Sequence, residues 1–204
     1  MDLAHAIVLM AYAAMALELR FFAVPSVVST RQELQRAHAR SLVVKLALVA
    51  PIVLIDLLFL LPPVLVLAPG LIAYLGPVPQ LAVPAVRWTG VALIVIGKIL
   101  TPLLVPPLRR ALEQGTLARS GCFAYSRHPG LLGMFAFYLG NALVFPCAVL
   151  FAGFPCYLLY MHRRALMEEA LLRERFPAEY DEYAARVPRY LGLRSSSASI
   201  GSGT

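Results

Sequence analysis

The sequence predicts an all-α, polytopic membrane protein of about five transmembrane helices, ending in a C-terminal helical hairpin and an amphipathic cytosolic segment. Three observations predict it. Of 204 residues, 60% are hydrophobic and only 14% charged, against about 25% charged in soluble globular chains, and the mean hydropathy is +0.75. The apolar residues fall in long runs separated by short polar connections. The arginines gather at the ends of those runs and, counted loop by loop, on one side. A chain of this length has room for one domain, expected at 1–194, and the Ser- and Gly-rich residues 195–204 read as a disordered tail. The net charge of +7 raises the question of nucleic acid, but the basic residues flank apolar runs and do not interleave with aromatics on a soluble face. The expected partner is therefore the bilayer, with no nucleic acid.

The first span is expected from Leu3 to about Val24, preceded by Met1-Asp2 in place of the basic segment of a cleaved signal peptide. Glu18 and Arg20 lie near its far end, where long side chains reach the interface. A polar connection, Ser29 to Arg40, carries three arginines, and the second span follows from Ser41 to about Leu67. Pro51 and the Pro62-Pro63 pair should kink or end that helix. Ala68 to Val86 is uncharged and rich in Pro and Gly, an outer loop with partly embedded pieces. Arg87-Trp88 is an interfacial anchor before the third span, about Thr89 to Leu108. Leu131 to Phe145 and Ala148 to Met161 are the fourth and fifth helices, reversing near Pro146, each short enough for a tilted or shallow hairpin. Arg31, Arg36, Arg40, then Arg109, Arg110, Arg119, Arg127, then Arg163 and Arg164 share one side, which the positive-inside bias makes cytosolic. Five spans then place the N-terminus outside and the C-terminus inside.

Cys122, Cys147 and Cys156 show no CxxC or Cys/His spacing, so neither a metal site nor a disulfide framework follows. Asp56 and Lys98 fall near mid-span, where charge is costly, and an ion pair between them is the expected reading. Asn141 reads as interhelical glue.

Two stretches carry the chemistry. Gly121-Cys-Phe-Ala-Tyr-Ser-Arg-His-Pro-Gly-Leu-Leu-Gly133 is a cationic hinge whose Pro129 cannot continue a preceding helix. Glu168-Glu169 opens a segment that runs through Phe176, Tyr180 and Tyr183 to Pro188. About thirty-five mostly apolar residues separate the two, enough for an in-and-out helical pair that returns both to one membrane face. Alone, Arg127 reads as a positive-inside anchor, His128 as a loop histidine, and the glutamates as a solvated helix face; their conjunction points to a site.

The run Gly-x-x-x-Tyr-x-Arg-His-Pro followed by Gly133, then Glu-Glu-x-x-Leu-x-x-x-Phe-x-x-x-Tyr-x-x-Tyr-x-x-x-Val-Pro-Arg, resembles the signature of the isoprenylcysteine carboxyl methyltransferase and phospholipid methyltransferase group, over about residues 91–190. The resemblance implies an all-helical membrane enzyme holding S-adenosylmethionine on the cytosolic side. Leu131 stands where that group has a tyrosine, and Pro177 where it has a glycine. S-adenosylmethionine presents an adenine, a carboxylate, an ammonium and a sulfonium. Tyr125 is expected against the adenine, Arg127 or His128 on the carboxylate, and Glu168 and Glu169 on the ammonium, with Pro129 and Gly133 shaping the pocket. The resemblance also implies Arg164 paired with Glu169 at the reacting centre, although five positions is an imperfect same-face spacing. The acceptor stays open among carboxylate, thiol and amine. Two alternatives remain: a sterol-reductase-like oxidoreductase using NADPH, and a non-catalytic membrane protein retaining the fold.

Overall fold

A computed structural model describes residues 2–18 and 42–191, with side chains from residue 53 onward in the second stretch. The connection Ser29 to Arg40 and the tail 195–204 lie outside the described residues, as does the far end of the first span. Among the described residues the protein is all-helical: α1 (Leu3–Glu18), α2 (Leu42–Leu67), α3 (Pro84–Gln114), α4 (Pro129–Val144), α5 (Ala148–Arg175) and α6 (Pro177–Arg186). The chain, expected as one domain, gathers into two compact units: Met1–Val95 with Phe137–Tyr160, and Ile96–Ala136 with Met161–Thr204. Helices α3, α4 and α5 each contribute residues to both.

Helix lengths differ from the expected five spans. Among the described residues only α3 is both long and apolar enough to cross a membrane, while Leu3–Glu18, Val53–Leu67 and Pro129–Val144 are apolar but shorter. The 16 residues of α4 reach only about 24 Å, less than the roughly 30 Å of a hydrocarbon core. Helix α5 has 28 residues, but its second half is charged from His162 onward. The five-span count therefore rests on composition and charge placement, not on helix length.

The prolines do not end the helices. α2 runs through Pro51, Pro62 and Pro63, and α3 through Pro102, Pro106 and Pro107. Each proline removes one backbone donor, whereas a break in an apolar setting would strand several. The helix persists. What ends α3 is Gly115: at φ +65° it takes the left-handed position, and Thr116 N–H reaches Ala111 O at 2.9 Å in a Schellman cap.

In the first unit, an aromatic layer joins α1, α2, α4 and α5. Tyr12 packs edge-on against Phe137 at 5.1 Å and donates to the Phe59 carbonyl at 2.7 Å, and Tyr138 stacks on Tyr157 at 4.9 Å. Helices α3 and α4 touch backbone to backbone where glycines face each other, since a Cβ at Gly140 would sit 2.6 Å from the Gly90 carbonyl oxygen. Asn141, expected between helices, instead donates to Phe137 O one turn back in α4, at 2.8 Å. The Pro- and Gly-rich segment forms two 3₁₀ turns, Pro69–Tyr74 and Pro79–Leu81. It is pinned to the α4–α5 reversal by Val78 N–H to Pro146 O at 2.9 Å and Ala148 N–H to Gly76 O at 2.7 Å. Arg87, expected as an anchor, pairs with Asp2 at 2.6 Å.

In the second unit, Gly133 gives α4 its close approach to α3, where an added Cβ would lie 3.0 Å from Gly97 O. Along α5, Met161, Ala165 and Glu169 are all buried at four-residue intervals, a single inward stripe. Pro177 ends α5 and opens α6, so the turn expected after Phe176 forms. Helix α6 then folds back, burying Tyr180 and Tyr183 against Leu117, Leu172 and Phe176.

Candidate functional site

The inward stripe of α5 places one carboxylate, Glu169, in the interior of the second unit, where only 5% of the residue is exposed. A carboxylate at that depth needs cationic partners. It has three. Arg189 grips it in a fork, Nε to Oε1 at 2.7 Å and Nη2 to Oε2 at 2.9 Å. His128 Nε2 lies 3.1 Å from Oε1 and Arg127 Nη1 3.3 Å from Oε2. Burial alone would raise the carboxyl's pKa, but the Arg189 hydrogen bonds, with Arg127 and His128, outweigh burial and hold it below the ordinary carboxylate value.

These partners converge because two irregular segments pair by backbone. Arg127 N–H donates to Pro188 O at 2.9 Å and His128 N–H to Arg189 O at 3.1 Å. Ser126 bridges them, its hydroxyl donating to Arg189 O at 3.1 Å and accepting from His128 N–H at 3.2 Å. Pro129 then starts α4, its missing N–H falling where a helix has no partner for one. His128 is thereby fixed between two acids, its Nδ1 3.7 Å from Glu168 Oε2. Arg127 also donates to the Tyr180 hydroxyl at 3.2 Å, and its Nε is buried with no hydrogen-bond partner among the described residues.

Beside this cluster lies a cavity of about 120 Å³. Arg127, Arg175, Glu168, Thr116 and Tyr183 contribute its polar groups, and Leu108, Leu112 and Phe176 are among its apolar walls. Helix α6 covers one side, tied down by Arg119 to Glu179, by Arg173 to Asp181 at 2.7 Å, and by the Tyr183 hydroxyl to Phe123 O at 2.7 Å.

The expected residues divide into two groups. Arg127, His128, Glu168 and Glu169 come together. Tyr125 does not join them: it is 77% exposed and outside the cavity lining, because the turn Gly121–Ala124 before it carries its ring to the surface. Gly133 and Pro129 serve helix packing and helix initiation. Arg164 forms no pair with Glu169, since five residues of α-helix turn it about 140° away from the inward stripe. Arg189 takes that place. Sequence reasoning included it in the motif without assigning it a role, and the adjoining Val-Pro was the available signal that the chain turns there. No protein family, curated protein or solved structure matches the chain.

Proposed function

We propose that the protein is an S-adenosylmethionine-dependent methyltransferase of the membrane, multi-pass with its N-terminus outside, acting on a lipophilic acceptor. The observation that carries this reading is the cavity beside the buried cluster: the guanidiniums of Arg127 and Arg175 and the carboxylate of Glu168 line a small space with apolar walls. Opposite charges lining one small space suit the zwitterionic amino-acid end of the cofactor. Its volume, about 120 Å³, is below the roughly 300–1,000 Å³ of sites for drug-sized ligands, so it suits that end alone. The motif resemblance supports the same assignment.

Roles follow from what each group has free. Glu169 is already engaged by Arg189, Arg127 and His128, so Glu168, whose side chain is 65% exposed, is the carboxylate left for an ammonium. Arg127 lines the cavity and is the guanidinium assigned to the cofactor's carboxylate. Arg189, His128 and Glu169 hold those two in place. When bound, S-adenosylmethionine supplies an activated methyl group. The protein's contribution is alignment, which is worth up to about 7–11 kcal/mol, and no covalent nucleophile is needed. A lipid-borne acceptor would enter between helices while the cofactor enters from the cytosol.

Titration calorimetry of detergent-solubilised protein tests the reading. Saturable binding of S-adenosylmethionine is expected, with none of NADPH. Binding of NADPH alone would favour the reductase alternative, and binding of neither a non-catalytic role.

A further inference from the structure

One titratable pair in the second unit is not used by the cluster. His162, in the first charged turn of α5, has its Nδ1 3.0 Å from the hydroxyl of Tyr190, the residue after Arg189. The Tyr190 ring is held from three sides, by Phe135 at 5.9 Å, His162 at 6.0 Å and His128 at 6.3 Å. Both partners are only partly buried, so the hydroxyl is fixed without being sealed away.

We propose that His162 and Tyr190 form a proton relay, and that the acceptor accordingly carries a proton on its nucleophilic atom at neutral pH, as a thiol, phenol or ammonium does and a carboxylate does not. The proposal rests on the methyltransferase reading. The acceptor's X–H bond breaks, and its proton passes to Tyr190 Oη as the tyrosine's own proton passes to His162 Nδ1. The electron pair of the broken bond stays on X, where it takes the methyl group, and the positive charge ends on the imidazolium. A carboxylate acceptor, already ionised, would leave such a pair idle.

The charged groups acting on Tyr190 suit it to relay a proton and not to stand as an anion. Burial raises its pKa above the ordinary phenol value, Arg189 opposes this and Glu169 adds to it. The phenol thus stays protonated beside His162 Nδ1.

The test uses the full-length protein in detergent, with decanethiol and decanoate as probe acceptors and radiolabelled S-adenosylmethionine as donor. Wild type should methylate decanethiol and leave decanoate unlabelled. Tyr190→Phe keeps the ring contacts, and His162→Gln keeps polarity. Each should lower transfer to decanethiol about 100-fold at pH 7. The deficit should then shrink as pH rises and the thiol ionises unaided. Calorimetric affinity for S-adenosylmethionine should not change in either variant. Independently of turnover, the ¹⁵N chemical shifts of the His162 ring should change in Tyr190→Phe, which removes its hydroxyl partner. Methylation of decanoate in preference to the thiol, or variants keeping the wild-type pH profile, would overturn the relay and leave the methyltransferase reading standing. Wild type that fails to bind S-adenosylmethionine would overturn both.

Discussion

Glu169 and Glu168 are adjacent in sequence and opposite in circumstance, so neutralising each has a different effect. Glu169→Gln strands Arg189, Arg127 and His128 around a neutral amide in a buried site, a loss of about 3 kcal/mol measurable as a lower denaturation midpoint in detergent. Glu168→Gln removes an exposed charge, so stability should stay within about 0.5 kcal/mol while affinity for S-adenosylmethionine falls about 10-fold or more. Acidification reports on the same carboxylate. Because the folded-state pKa of Glu169 lies below its ordinary value of 4.5, its stabilising contribution is fully present above that pH and is lost as pH falls through the lower folded value. Stability of wild type should therefore drop below about pH 4.5 more steeply than that of Glu169→Gln. The stripe Met161, Ala165, Glu169 could be read from the sequence as a four-residue period, and it places Arg164 off the face. Arg189 could not be read this way. It sits in an irregular segment whose approach to Glu169 depends on backbone pairing between residues 127–128 and 188–189, a contact across some sixty positions that no local pattern encodes.

At the scale of elements, hydropathy located the helices but not their ends. α5 continues from Met161 to Arg175 because its charged half is held by tertiary partners: Glu169 by the arginines, Leu172 and Phe176 by the tyrosines of α6. Apolar length marks the span, while ion pairs and packing extend the helix beyond it. The prolines of α2 do not end it for a related reason, since their cost is smaller than that of breaking a helix in an apolar setting. Glycines set how closely helices approach. Gly140→Ala would push a methyl into the Gly90 carbonyl, a backbone atom that cannot rotate away, and should destabilise the protein by about 1–3 kcal/mol in thermal unfolding. Gly115→Ala meets no neighbouring atom but does meet φ +65°, so it should cost about 1 kcal/mol through the cap alone.

For the whole molecule, the one-sided arginines predict that a protease tag appended after residue 204 is cleaved in inverted membrane vesicles and protected in right-side-out ones. The opposite protection would reverse the topology and place the cluster on the outer face. The all-helical class was legible because composition and run length are global properties of the chain. The division into two compact units was not, because it depends on which halves of α3, α4 and α5 pack together. The proposed activity is tested most directly by incubating membranes that contain the protein with radiolabelled S-adenosylmethionine and counting label in the lipid extract. Label that accumulates with wild type and is lost with Glu168→Gln is the predicted result. Equal label with wild type, with Glu168→Gln and with membranes lacking the protein would contradict it.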